Sequence, residues 1–115
     1  MVEEAKHGLH PRVICLDAAK ADYRPILTGP PASVTMRSGL VTLAPGKSVG
    51  VHSTEDFEEL IIVLEGQGEV RIARQDPLAI HAGVAAYCPP GTEHDVVNTG
   101  NTPLQYVFVV AKAWQ

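Results

Sequence analysis

The stretch Gly83-Val84-Ala85-Ala86-Tyr87-Cys88-Pro89-Pro90-Gly91-Thr92-Glu93-His94-Asp95-Val96-Val97-Asn98 decides how the chain reads. Val84 to Cys88 is a short β-type run that stops at Pro89-Pro90-Gly91, and a second run, His94 to Val97, follows at once. The prolines stiffen the backbone and Gly91 lets it turn tightly, so the turn aims His94 back toward the interior.

A second stretch upstream has the same character. It runs Gly46-Lys47-Ser48-Val49-Gly50-Val51-His52-Ser53-Thr54-Glu55-Asp56-Phe57-Glu58-Glu59, then an apolar strand, then Gly66. Side chains alternate across a strand, so His52 and Thr54 share one face. A turn then brings the chain back, and Glu59 approaches the same point from the next strand. Glu58 is the rival carboxylate, but it sits on the opposite face of that strand from Glu59.

These two stretches resemble the two sequence motifs of the cupin superfamily. The second matches the pattern G-x5-P-x-G-x2-H-x3-N at Gly83, Pro89, Gly91, His94 and Asn98. Background residue frequencies put a chance match at on the order of one in a hundred thousand. The first fits G-x5-H-x-H-x3,4-E-x6-G at Gly46, His52, Glu59 and Gly66, with Thr54 in place of the second histidine. The resemblance covers Val34 to Val110. It implies a small all-β jelly-roll barrel, a double-stranded β-helix, and places the family's four metal-ligand positions on His52, Thr54, Glu59 and His94.

Two neutral imidazoles and one carboxylate on one side of a cavity suit Fe(II), and equally Mn, Ni, Co or Zn, with open positions for water, substrate or oxygen. A hydroxyl is a poor ligand for these ions. Thr54 therefore either opens a coordination position or marks a weakened site. A carboxylate buried beside imidazoles calls for a balancing cation, which favours a metal over a hydrogen-bonded remnant.

The rest of the chain accords with one small β domain. Its 115 residues and 12.3 kDa make a single core, and 45% hydrophobic against 19% charged residues is a globular composition. Nine prolines and 10 glycines cut the sequence into short runs. Strands are predicted at Val34–Leu43, Leu60–Leu64, Glu69–Ala73, Leu78–His81, Val84–Cys88, His94–Val97 and Leu104–Ala111. Residues 1–33 read as an N-terminal arm, with a strand at Val13–Leu16 and a helical turn opening at Asp17; residues 34–115 form the barrel. The arm packs either on its own barrel or on a neighbouring subunit. Leu60–Leu64 and Tyr106–Val110 are apolar at every position, which predicts that both faces are covered, as in a homodimer.

A net charge of −4 with scattered basic residues excludes nucleic acid as a partner. The apolar runs are too short to span a membrane, and Met1-Val2-Glu3-Glu4 does not open a secretion signal, so a cytoplasmic setting is expected, with Cys15 and Cys88 reduced. His7, His10 and His81 lie outside the motifs and read as surface residues. Asp95, Arg71 and Arg74 read as solvated. Either Tyr87 or Cys88 faces inward. Arg37 would orient an acidic substrate if its side of the strand faces the cavity. Aromatic residues are 5% of the chain, and no stacking platform can be picked out.

Three functions fit. One is a metal enzyme acting on a small organic molecule, by oxygen-dependent cleavage in the manner of a dioxygenase or by isomerase-type proton transfer. The second is a non-catalytic module binding a small molecule or sugar, and the third a metal-free structural dimer. The turn residues serve all three, so the histidine and glutamate set discriminates among them.

Overall fold

The computed structural model describes residues 8–16 and 22–114. His7 and the expected helical turn at Asp17 lie outside that range. Nine strands follow in order: β1 (Tyr23–Thr28), β2 (Arg37–Leu43), β3 (His52–Ser53), β4 (Phe57–Glu65), β5 (Gln67–Ile72), β6 (Leu78–His81), β7 (Ala85–Cys88), β8 (Glu93–Asn98) and β9 (Leu104–Lys112). They form two antiparallel sheets, ordered β1-β2-β9-β4-β7 and β3-β8-β5-β6. Among the described residues there is no helix, and no helix is long and apolar enough to cross a membrane.

The seven expected barrel strands are present with shifted ends. β4 begins at Phe57 because Phe57 pairs with Lys112 on β9, lengthening both strands. Val34 to Met36 stay outside β2. The expected strand at Val13–Leu16 is absent, and Val13 is 96% exposed. The strand of this part of the chain is β1 instead, paired along β2. Its Pro25 argues against a strand by sequence alone, yet an edge strand tolerates a missing N–H, and the register slips between Pro25 and Leu27.

The core forms where the inward faces of the two sheets meet. Ile61 and Val63 of β4, Leu104 and Tyr106 of β9, and Val70 and Val96 of the facing sheet are nearly or fully buried. Asn98 closes one end. Its amide nitrogen donates to the carbonyls of Leu43 (2.9 Å) and Thr102 (2.8 Å), and its oxygen accepts the Gly100 N–H (2.8 Å). The second motif's asparagine therefore ties β8 to the ends of β2 and the following loop. It has no contact with the histidines in this role.

Of the two free thiols, Cys15 is exposed and Cys88 points into the core with no exposure. Burial first, and the charge of Glu59 second, push the Cys88 thiol up from 9.0 to about 11. The neutral thiol is favoured in the fold, so its stabilising contribution is complete below pH 9.0 and declines as pH rises toward about 11. Iodoacetamide at pH 8 should accordingly alkylate Cys15 alone in the native protein and both cysteines after unfolding, as read by intact mass. Rapid native modification of Cys88 would contradict this packing.

Candidate metal centre

β3 and β8 are neighbours, and His52 on one pairs directly with His94 on the other. Their rings lie 4.4 Å apart, centroid to centroid. Glu59 reaches them from β4, in the opposite sheet, because its parity on that strand is inward with Ile61 and Val63. Glu58 points outward and accepts a hydrogen bond from the Tyr87 hydroxyl at 2.8 Å. One ligand atom from each of His52, Glu59 and His94 lies within 4.8 Å of the others.

Backbone carbonyls fix both imidazoles. His52 Nδ1 lies 2.8 Å from the Gly50 oxygen and His94 Nδ1 lies 3.0 Å from the Thr92 oxygen. A carbonyl only accepts, so each Nδ1 carries a hydrogen and each Nε2 is left as the candidate ligand atom. Gly50 is itself held, since its N–H donates to Asp95 Oδ1 at 2.9 Å. Its φ of +101° suits glycine. Asp95, expected to be solvated, thus helps to orient His52 through the Gly50 backbone.

His94 is buried, and its Nε2 meets Glu59 Oε1 at 2.9 Å. Burial disfavours the charged ring, but the Glu59 and Thr92 hydrogen bonds, with the charges of Glu59 and Asp95, outweigh it and raise its pKa. Positive charge is thus favoured beside these two ligand atoms, and a divalent cation would be favoured there for the same reason. Bonds of about 2.0–2.2 Å put neighbouring ligand atoms roughly 3 Å apart, and the Glu59–His94 separation fits that spacing. This group could hold a metal, with positions left open by having three protein donors rather than four.

Thr54 is engaged elsewhere. Its hydroxyl donates to the Pro89 carbonyl at 2.8 Å and accepts the Thr92 N–H at 2.9 Å, and its own N–H donates to the Thr92 carbonyl at 3.1 Å. That carbonyl is the one that orients His94. Gly91, at φ +70°, adds an N–H to the Glu55 carbonyl at 2.8 Å. The two motif turns are thus knotted together, and the threonine where the motif has a histidine is part of the knot.

The three ligand-type side chains open onto a cavity of about 830 Å³ between the sheets. Four of the chain's six aromatic residues line it: Tyr23, Phe57, Tyr106 and Phe108. Composition concealed this gathering, because few aromatics are enough when they converge. Arg37 lines it too, on the inward parity of β2 shared with Val41. Cys88 faces the core and Tyr87 the outside; His10 and His81 are exposed and take no part in the group.

Replacing Thr54 with valine keeps its shape and strands the part-buried Thr92 N–H. Urea unfolding should show a loss of about 1–3 kcal/mol, with Thr54→Ser retaining most of the stability. An unchanged unfolding midpoint in Thr54→Val would rule out the knot.

Comparison with known proteins agrees with this architecture. The chain is 37% identical over 68 residues to an oxalate-binding protein of Thermotoga maritima, covering 59% of this chain and 55% of that one. It is 31% identical over 91 residues to the tetracenomycin polyketide synthase protein TcmJ of Streptomyces glaucescens, covering 76% and 59%. The chain thus spans little more than half the length of these two curated relatives. A Cupin 2 conserved barrel domain protein of Salinispora arenicola superposes with a TM-score of 0.73 at 25% identity, covering 90% of this chain and 91% of that one. The Cupin domain family model matches residues 39–110, most of both sheets and all three ligand-type side chains, and the chain belongs to the cupin family.

Proposed function

We propose that this cupin binds one divalent metal ion through His52 Nε2, His94 Nε2 and a carboxylate oxygen of Glu59, and holds a small organic acid in the adjoining cavity. The observation that carries the reading is the convergence of three ligand atoms within 4.8 Å, with both imidazoles oriented through Nδ1 by backbone carbonyls. The similarity to an oxalate-binding protein supports an acid as the ligand. When bound, the metal supplies Lewis acidity and positions for substrate and oxygen, the chemistry of a dioxygenase-like or isomerase-type reaction.

The chain's own groups have definite parts. Glu59 Oε1 and His94 Nε2 are hydrogen-bonded at 2.9 Å and, with His52, would hold the cation. Apolar side chains, among them Val41, Phe57, Val96 and Phe108, line the cavity, and exposed His52 stands on its accessible side. The two free thiols accord with a cytoplasmic setting. Elemental analysis of untagged protein purified without chelator should find near-stoichiometric metal, lost in His94→Ala. Wild-type protein that lacks metal and takes up neither Fe(II), Mn(II) nor Zn(II) on titration would overturn the reading.

We also propose that two copies pair through the outer face of the five-stranded sheet. Leu60, Ile62 and Leu64 of β4 are 36–44% exposed there, and Tyr87 of the neighbouring β7 is 54% exposed. β9 adds half-buried Val107 and Val109, opposite Ile62 and Leu60. A contiguous apolar face of this kind is what a second copy would cover. Light scattering should find a dimer, converted to monomer by Leu60→Glu. A wild-type monomer at micromolar concentration would exclude this pairing.

A further inference from the structure

The cavity wall remote from the motifs carries more information than a site for oxalate needs. A cavity of about 830 Å³ is in the size range that receives drug-sized ligands, far beyond a two-carbon diacid. Its wall is also planar in character. Tyr23 and Phe108 stack with rings 6.2 Å apart and 12° from parallel. Gly39 lies beneath them: a Cβ there would come within 2.5 Å of the Tyr23 ring and 2.9 Å of the Phe108 ring. A side chain at position 39 would lift both rings into the cavity.

Arg37 is the single lysine or arginine on the lining. Its guanidinium lies 4.7 Å from the Phe57 ring centroid. Among the described residues it makes no hydrogen bond or ion pair. Two acidic residues share the lining without bonding to exposed Arg37: Asp56 is paired with Lys112 at 3.4 Å, and the Glu55 carboxylate, also exposed, makes no ion pair among the described residues. A planar fork of free donors beside aromatic faces is the arrangement that receives a carboxylate joined to a flat body.

We infer that the ligand is an aromatic or conjugated carboxylic acid of roughly ten to twenty non-hydrogen atoms. Arg37 binds its carboxylate, and its flat body lies along Phe57, Tyr106 and the Tyr23–Phe108 pair. This deepens the organic-acid reading above, and its recognition step requires Arg37 and the aromatic wall rather than the metal.

Calorimetric titration of the full chain, stripped of metal and separately loaded with Mn(II), tests it with three probes: 2-naphthoate, the neutral 2-naphthamide and oxalate. In the stripped wild-type protein 2-naphthoate should bind at least tenfold more tightly than either of the others. Arg37→Gln should abolish the preference for acid over amide, and Arg37→Lys should keep part of it, with thermal melting as the control for folding. Equal binding of acid and amide by the wild type overturns the inference without recourse to any variant, and so does a preference that survives in Arg37→Gln. Metal content measured on the same preparations separates the two readings. Arg37-dependent naphthoate binding by a protein that takes up no metal upholds this inference and removes the metal centre. Full metal loading with no acid preference does the reverse.

Discussion

The contact between His94 and Glu59 is the constraint around which the rest of the molecule is arranged. It joins β8 of one sheet to β4 of the other through a buried polar bridge. A carboxylate and an imidazole taken out of water each lose several kcal/mol of hydration, on the order that only a charged or hydrogen-bonded partner restores. The barrel supplies one partner in the other, and the Thr92 carbonyl as a third group. Two backbone features keep the neighbouring groups in place: the knotted turns hold the Thr92 carbonyl, and the Asp95–Gly50 bond holds the residue whose carbonyl fixes His52.

Much of this was legible in the sequence because turns and strand parity are local. Glu59 could be separated from Glu58 by the period of two, and in the structure Glu59 faces inward while Glu58 lies outside beside Tyr87. Other features depend on contacts between distant segments. The Thr54 hydroxyl bonds to Pro89 and Thr92, more than thirty positions away. Nothing near Thr54 announces this. β1 was obscured by Pro25, whose effect depends on whether the strand lies at an edge. Arg37 was ambiguous for a different reason: Ser38 through Val41 are all buried, so β2 has no alternation from which to read its facing.

The site divides into two parts built by different physics. Directional hydrogen bonds to main-chain groups hold the ligand-type side chains, and these tolerate little displacement. Ring stacking and apolar packing form the opposite wall, where shape matters more than the position of any single atom. The first part sits on β3, β4 and β8, with the carbonyls that hold the two imidazoles just outside β3 and β8. The second belongs to strand interiors, mainly β1, β2 and β9.

That division has a consequence for how the chain can change. The family match begins at residue 39, so Tyr23 and Arg37 precede it while His52, Glu59 and His94 fall inside. β1 touches the rest of its sheet along one edge only, through β2. An edge strand can be exchanged, shortened or redecorated without re-registering any other strand. Tyr23 is thus the one aromatic of the cavity wall that can be altered, with its strand, while β2, β4 and β9 and the three ligand-type side chains keep their register.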